Sequence, residues 1–433
     1  MISFKFQMYG FMNKIYSVFS MVYEKLMGYL YPSSIVYDLF LKNILKRVWN
    51  RGSINLSSEK EVSKKMKMKV GLLTNEIPPI VYGGVATWIV NYLKMFENDE
   101  NIEVIPIFLA YNDKLPDECK LIYSNIRVIE KEEDIKGCFS DIDICVNNLW
   151  IALETIIKIR ELFPKLNIVS VCHSLIRMEN ITNLGSCYTS NFNQQEITFQ
   201  NSDYVVLISQ AEEDYYNTFG YNLFDTKTCV IYNSYEPKYD DKKLNVNYES
   251  NTLGYIGRHV PRKRPEIPIV SVNQSGLDVD VVNMGVDYDK YGNDYWKKLE
   301  KEYSERLTVI PFTVDKNVKE KYWSDIGINC ITGIYEPFGY TICECLDRRV
   351  PVIVSNIDGP REIVEEVINN VYPYEVDVDN YKNDIHNFTN TLKNVLDIPS
   401  DEREKNAELA RNALDKLRPE AIKKRWIELF NSI

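Results

Sequence analysis

The sequence predicts an α/β protein made of two Rossmann-like parallel-sheet domains facing across a cleft, preceded by an N-terminal helical extension. Short apolar runs alternate with helix-spaced segments in two series, one opening at Lys69 and the other at Thr252. That alternation is what strands joined by crossover helices produce. A polar, charged stretch almost free of aliphatic side chains, 236–250, separates the series. A chain of 433 residues is also too long for one ordinary core.

Residues 1–66 form the extension and its linker. The first fifty mix aromatic and aliphatic side chains with Lys5, Lys14, Lys25, Lys42, Lys46 and Arg47 against only Glu24 and Asp38. They read as two or three amphipathic helices broken near Tyr31-Pro32-Ser33-Ser34. Packing on the protein body or in a homodimer contact ranks first, because such helices would otherwise expose a large apolar patch. Peripheral contact of residues 1–50 with an anionic membrane surface is the competing reading.

The first Rossmann-like domain spans 67–240. "KVGLLTNEIPP" is a strand ending in a polar loop, "GGVATWIVNYLKMF" a helix, and "EVIPIFL", "DICVNN", "NIVSVCH" and "YVVLIS" are further strands. The second domain, 250–415, repeats the grammar through "TLGYIGR", "DVDVVNMG", "LTVIPF", "IGINCIT" and "PVIVSN". Residues 416–433 close the chain as an amphipathic helix, with Ile422, Trp426, Leu429 and Phe430 on one face behind Pro419.

A formal net charge of -11 opposes attraction to nucleic-acid phosphates, so no nucleic-acid partner is expected. The nine cysteines are scattered, many in apolar runs, without a C-x-x-C pair. They read as reduced thiols of a cytoplasmic protein. No run reaches the length of a membrane-spanning helix, which leaves a protein soluble or peripheral to a membrane surface. The three histidines, His173, His259 and His386, form no spaced ligand set, and the D-x-D triplets at Asp141, Asp278 and Asp377 are cheap matches. No metal and no cofactor are expected.

Two stretches carry chemistry. In "GYIGRHVPRKRPE" the first strand of the second domain runs into a loop with Arg258 and Lys263, at the strand end where open α/β sheets bind ligands. Taken alone, the cluster Arg258, Arg262, Lys263 and Arg264 reads as a solvated surface. In "GIYEPFGYTICECL" a strand turns through "EPFG" into a helix, with Glu336 before the helix and Glu344 about two turns into it. Taken alone, that spacing reads as a solvated helix face. Backbone N–H groups from Phe338 through Gly339 and Tyr340 to Thr341 form a helix N-terminus suited to phosphate, and carboxylates are good acceptors for sugar hydroxyls.

Together the motifs resemble the retaining glycosyltransferases of family 4. "EPFGYTICE" is similar to their E-x7-E signature and "GRHVPRK", from Gly257 to Lys263, to their G-R-x-x-x-x-K loop. "PPIVYGGVATW" resembles their Gly-Gly loop, "VSVCHS" their strand-end histidine, and "VIYNSYEP" and "VPVIVSNIDGPREIV" later segments in the family order. The likeness covers Lys69 to the C-terminus. It implies the GT-B fold, with the first domain on the acceptor side, the second on the donor side, and the terminal helix crossing back to the first.

It further implies a hexosyltransferase whose partners are a nucleotide diphosphate sugar, GDP-mannose slightly favoured over UDP-glucose, and a hydroxyl on a glycan, glycoconjugate or lipid. By that resemblance Arg258 and Lys263 hold the diphosphate, Gly83 and Gly84 close over it, Glu336 and His173 contact the sugar, and Glu344 holds the ribose. A sugar-nucleotide epimerase and a non-catalytic sugar-nucleotide-binding protein are the alternatives. The chain departs from the family at Thr332-Gly333, at Cys345-Leu346-Asp347-Arg348-Arg349, and at Arg264, whose side chain is expected to point to solvent.

Overall fold

The computed structural model describes residues 67–433 apart from 111–114, 151, 184–188, 222–225, 240–243, 245, 288–291 and 312. The extension expected over 1–66, and with it the dimer and membrane contacts considered for residues 1–50, lies outside the described residues.

The first sheet holds β1 (Met68–Thr74), β2 (Ile102–Leu109), β3 (Arg127–Ile129), β4 (Ile144–Asn147), β5 (Asn167–Cys172), β6 (Tyr204–Leu207) and β7 (Lys227–Val230), in the order β3-β2-β1-β4-β5-β6-β7. The second holds β8 (Leu253–His259), β9 (Val281–Asp287), β10 (Leu307–Pro311), β11 (Ile328–Ile331), β12 (Val352–Ser355) and β13 (Tyr372–Tyr374), in the order β10-β9-β8-β11-β12-β13. All pairings are parallel. Helices cover both faces of such sheets, so central strands become continuous apolar runs, and every residue of β4, β11 and β12 is buried.

In each sheet the chain winds outward from its first strand and returns to lay the fourth beside it. The order therefore reverses between β1 and β4, and between β8 and β11. The crevices at the carboxyl ends of these strand pairs are where doubly wound sheets bind ligands. The glycine pair follows β1, Arg258 lies on β8 and Glu336 follows β11 at these two places, while His173 follows β5.

Two segments join the domains. The Gly84–Phe96 helix buries Trp88, Tyr92 and Phe96 along one stripe. Against it lies the terminal Pro419–Asn431 helix, whose Trp426 ring stands 5.1 Å from Tyr92 and 6.3 Å from Trp88, while Phe430 lies 6.3 Å from Phe96. Pro419 occupies the first turn, where its missing N–H has no intrahelical partner to lose. Beside this crossing runs the linker, with Tyr235 N–H donating to Leu417 O at 2.8 Å.

The departure from the family at Asp347-Arg348-Arg349 is a strap for that linker. Asp347 is fully buried and accepts from Tyr235 Oη at 3.2 Å, Lys238 N–H at 2.8 Å and Tyr239 N–H at 3.3 Å. Arg411 pairs with it at 3.2 Å. Arg348 forks onto Glu320 with two bonds of 2.7 Å and lies over the Tyr239 ring. Arg349 ends the helix in the left-handed conformation, φ 58°, and its carbonyl accepts Tyr248 Oη at 3.0 Å.

Candidate active site

β11 delivers the chain to the crevice, and Thr332 stitches the two chemistry-bearing loops together. Its hydroxyl lies 2.9 Å from Lys263 O and 2.8 Å from Arg264 O, and Ile334 N–H donates to Arg262 O at 2.7 Å. The loop of Glu336 is thereby bonded along the loop of the cations. Glu336 forms an ion pair with Lys263, both side chains less than a fifth exposed. Burial, followed by the charges of Arg262 and Arg258, pushes the Lys263 ammonium well below its ordinary value.

Gly339 makes the turn into the Tyr340–Arg348 helix at φ 97°, a backbone few other residues adopt without strain. A methyl there would also crowd Pro360 at 3.2 Å and Glu336 at 3.4 Å. The helix has no side-chain cap and no acidic residue in its first turn. Its first N–H groups, at Tyr340 and Thr341, thus stay available to an anion. Phe338 is buried against Tyr340, with ring centroids 5.1 Å apart, which fixes the start of the helix.

Across the crevice the first domain presents Gly83 and Gly84, both exposed. A methyl on Gly83 would meet nothing within 4 Å, and one on Gly84 would meet only Tyr340 at 4.0 Å. The glycine loop therefore faces the uncapped helix start with open space over Gly83. His173 follows β5 and sets its ring edge-on to Trp88, 4.9 Å between centroids. Burial lowers its pKa to about 3, so the imidazole is neutral, and Nε2 has no hydrogen-bond partner among the described residues. A neutral ring of this kind can hydrogen-bond a sugar hydroxyl but supplies no charge to a diphosphate.

Gly257 and the exposed Arg258 lie near the carboxyl end of β8, just before its last residue, His259. Burial raises the pKa of Glu76, which follows β1 in the facing domain, and the Arg258 charge opposes the rise. Glu344 is the fifth residue of its helix, little more than one turn in rather than two. It is half-buried; burial raises its pKa, and Lys319, Lys238 and Arg348 oppose the rise. Glu336, Lys263, Gly339 and Gly84 thus converge around the start of one helix, while Glu344 sits further along it beside the linker strap.

Two arginines of the basic cluster have structural work. Arg264 does not point to solvent: it is buried at φ 42° and ion-paired with the fully buried Asp384. A charge shut away from water needs a partner, and Asp384 supplies it from 120 positions along the chain. Arg262 is buried too, donating to Tyr335 O at 3.0 Å and pairing with Glu179 of the first domain at 3.2 Å.

Sequence reasoning missed a row of carboxyl groups that tie the domains together. Tyr335, one residue before Glu336, receives Leu175 N–H on its hydroxyl at 2.9 Å and lies beside Glu212; burial, followed by the Glu212 charge, raises its pKa. Glu212 is fully buried, and burial lifts its pKa to about 8. Asp358 accepts from Tyr215 Oη at 2.7 Å and from Glu336 N–H at 3.2 Å. They lie in "AEEDYY" and "NIDGP", where no local signal marks their partners in the other domain.

Among the described residues no group of three or more His, Cys, Asp or Glu side chains is arranged to hold a metal ion. No described helix is long and apolar enough to cross a membrane. Of the D-x-D residues, Asp141 pairs with Lys69 at 2.7 Å and Asp278 with Arg306 at 3.0 Å.

Residues 238–413 match the family described as Glycosyl transferases group 1. A 190-residue stretch is 23% identical to an uncharacterized glycosyltransferase of Methanocaldococcus jannaschii, covering 41% of this chain and 48%, about half, of that protein. Among solved structures, Anabaena HepE in complex with UDP and glucose is similar with a TM-score of 0.66 and 16% identity, over 84% of this chain and 100% of that one. Sucrose-phosphate synthase from Thermosynechococcus elongatus gives a TM-score of 0.66 and 16% identity over 84% and 99%. The catalytic domain of Arabidopsis thaliana starch synthase IV, bound to ADP and acarbose, gives 0.60 and 13% over 85% and 99%. The chain thus has the GT-B fold, and its second half matches the group 1 glycosyl transferases, in line with the family that its motifs resemble.

Proposed function

We propose that the protein is a metal-independent retaining glycosyltransferase that moves a hexose from a nucleotide diphosphate sugar to a hydroxyl of a glycan, glycoconjugate or lipid. The observation that carries this reading is the meeting of Lys263 and Glu336 beside the uncapped start of the Tyr340–Arg348 helix. Negative charge grows on the diphosphate as the glycosidic bond breaks. Arg258, Lys263 and the helix N–H groups are fixed where it develops, and preorganised donors of this kind act without reorganising. Glu336 orients the sugar, His173 offers it a neutral imidazole, Glu344 takes the ribose, and Gly83-Gly84 leaves room for the phosphates.

Retention follows, on this reading, from attack on the face the diphosphate leaves, with the departing phosphate taking the acceptor proton. A covalent role for Glu336 is the competing mechanism. Trapping a glycosyl adduct on Glu336 by mass spectrometry would establish it. UDP and ADP in the solved relatives support the nucleoside diphosphate class. GDP-mannose and UDP-glucose are therefore the first donors to compare by calorimetry.

Incubation with candidate sugar nucleotides tests the reaction class. Transfer or slow hydrolysis releases nucleotide. Epimerisation alters the sugar without an acceptor, and a binding protein does neither; either of these results overturns the proposal.

A further inference from the structure

Asp358 opens the short Asp358–Val364 helix with 9% of its surface exposed and a φ of 47°. Glycine adopts that backbone freely, whereas a side chain is strained in it. What the side chain does is bridge. Oδ2 accepts the backbone N–H of Glu336 at 3.2 Å, and Oδ1 accepts the hydroxyl of Tyr215, on the Gln210–Thr218 helix of the first domain, at 2.7 Å.

The neighbouring backbone is held equally closely. Gly359 N–H donates to Glu336 O at 3.1 Å, and a methyl on Gly359 would fall 2.5 Å from Pro337 O and from the Phe338 Cα. Both peptide groups of Glu336 are thus engaged by 358–359. The Tyr215 ring stands edge-on to Tyr335, 6.0 Å between centroids, beside the same loop.

We propose that Asp358 is a positioning residue: it fixes the backbone of Glu336 for the donor sugar and does so against Tyr215 of the facing domain, so that Glu336 is set when the cleft is closed on that side. This rests on the reading of Glu336 as the group that meets the sugar. Asp358 itself touches no reacting atom. Loss of Tyr215 and loss of Asp358 should then act through the same bond.

The test compares the wild type with D358G, D358N, Y215F and D358G/Y215F. It measures thermal stability, kcat and KM for sugar-nucleotide hydrolysis or transfer, and calorimetric affinity for UDP-glucose and GDP-mannose against UDP and GDP. D358G suits φ 47°, which offsets part of the stability lost with the two bonds, so it should stay folded, melt only slightly below the wild type and keep its affinity for the bare nucleotide. It should lose about tenfold in kcat, the order expected for one ordering hydrogen bond, together with any added affinity that the sugar supplies. D358N, whose amide oxygen still accepts one donor, should recover part of the loss, and Y215F should add little to D358G.

Wild-type kcat and undiminished sugar-dependent affinity in D358G would overturn the proposal, as would effects of D358G and Y215F that multiply. If the wild type turns over no sugar nucleotide but binds one more tightly than its nucleotide, loss of that increment in D358G sustains the positioning role while the transferase reading falls. A wild type that binds neither sinks both.

Discussion

The carboxylate of Glu362 in the second domain accepts the backbone N–H of Ala211 in the first at 2.6 Å. It also takes Gln210 N–H at 2.8 Å and Tyr232 Oη at 2.7 Å. A helix start leaves N–H groups without intrahelical partners. For the Gln210–Thr218 helix the acceptor comes from across the domain boundary.

Glu362→Ala should therefore weaken the association of the domains as well as one helix. Charge-assisted bonds of this type contribute about 1.5–3 kcal/mol. Urea unfolding should show a lower midpoint, with the first domain's helix more exposed to amide exchange at Ala211 than in the wild type. Unchanged protection there would contradict the capping role.

Arg258→Ala should lower kcat by about 10²–10³, the range for one lost donor to developing charge. Its melting temperature should stay close to the wild type, because the side chain is exposed. Lys263→Ala should lose at least as much activity. Nucleotide release from a sugar nucleotide, followed beside a thermal scan, separates the two effects; equal turnover in R258A would remove Arg258 from the mechanism.

Stability should fall on the alkaline side. Burial, the largest cause in both, lifts Glu212 to about 8 and Asp358 to about 7. Between the ordinary carboxylate range and these values the native state holds protons that the unfolded chain has released. Their contribution is complete at low pH and is lost as pH rises through 7 to 8. His173 works in the other direction: pushed down to about 3 by burial, it contributes above its ordinary value of 6.5 and loses that contribution as pH falls towards 3. Glu212→Gln should shrink the drop in melting temperature between pH 6 and pH 9. An identical drop in variant and wild type would refute the assignment to Glu212.

Trp426→Ala should cost about 3–5 kcal/mol, as for other large aromatic truncations in a core. The ring is 1% exposed and packs on Tyr92 and Trp88 of the first domain. A denaturant midpoint near that of the wild type would show the terminal helix to be a dispensable appendage.

The central strands could be read from sequence because burial on both faces leaves one kind of run, as "VIVS" and "ICVN" show. Edge strands β3, β7 and β13 escaped notice: they are three or four residues long and carry Arg127, Lys227 or Pro373, so no run forms. The paired glutamates and the turn at Gly339 were visible because one short segment holds both. Arg264 was misread since its buried partner, Asp384, lies 120 positions away. Glu212 and Asp358 were invisible for the same reason: nothing in a local stretch shows that a carboxyl will be enclosed by a different domain.

The bond between Tyr235 and Leu417 joins the two strands of chain that pass between the domains, and Asp347 fastens one of them to the helix that carries Glu344. Two separate tethers would let one half slide, tilt or twist over the other. Pinned side by side at a single place, they act as one fastening, with Asp347 at its buried end. That one fastening lies on the same chain that holds Tyr215 on Asp358 and Ala211 on Glu362, so a change at the linker reaches both contacts together.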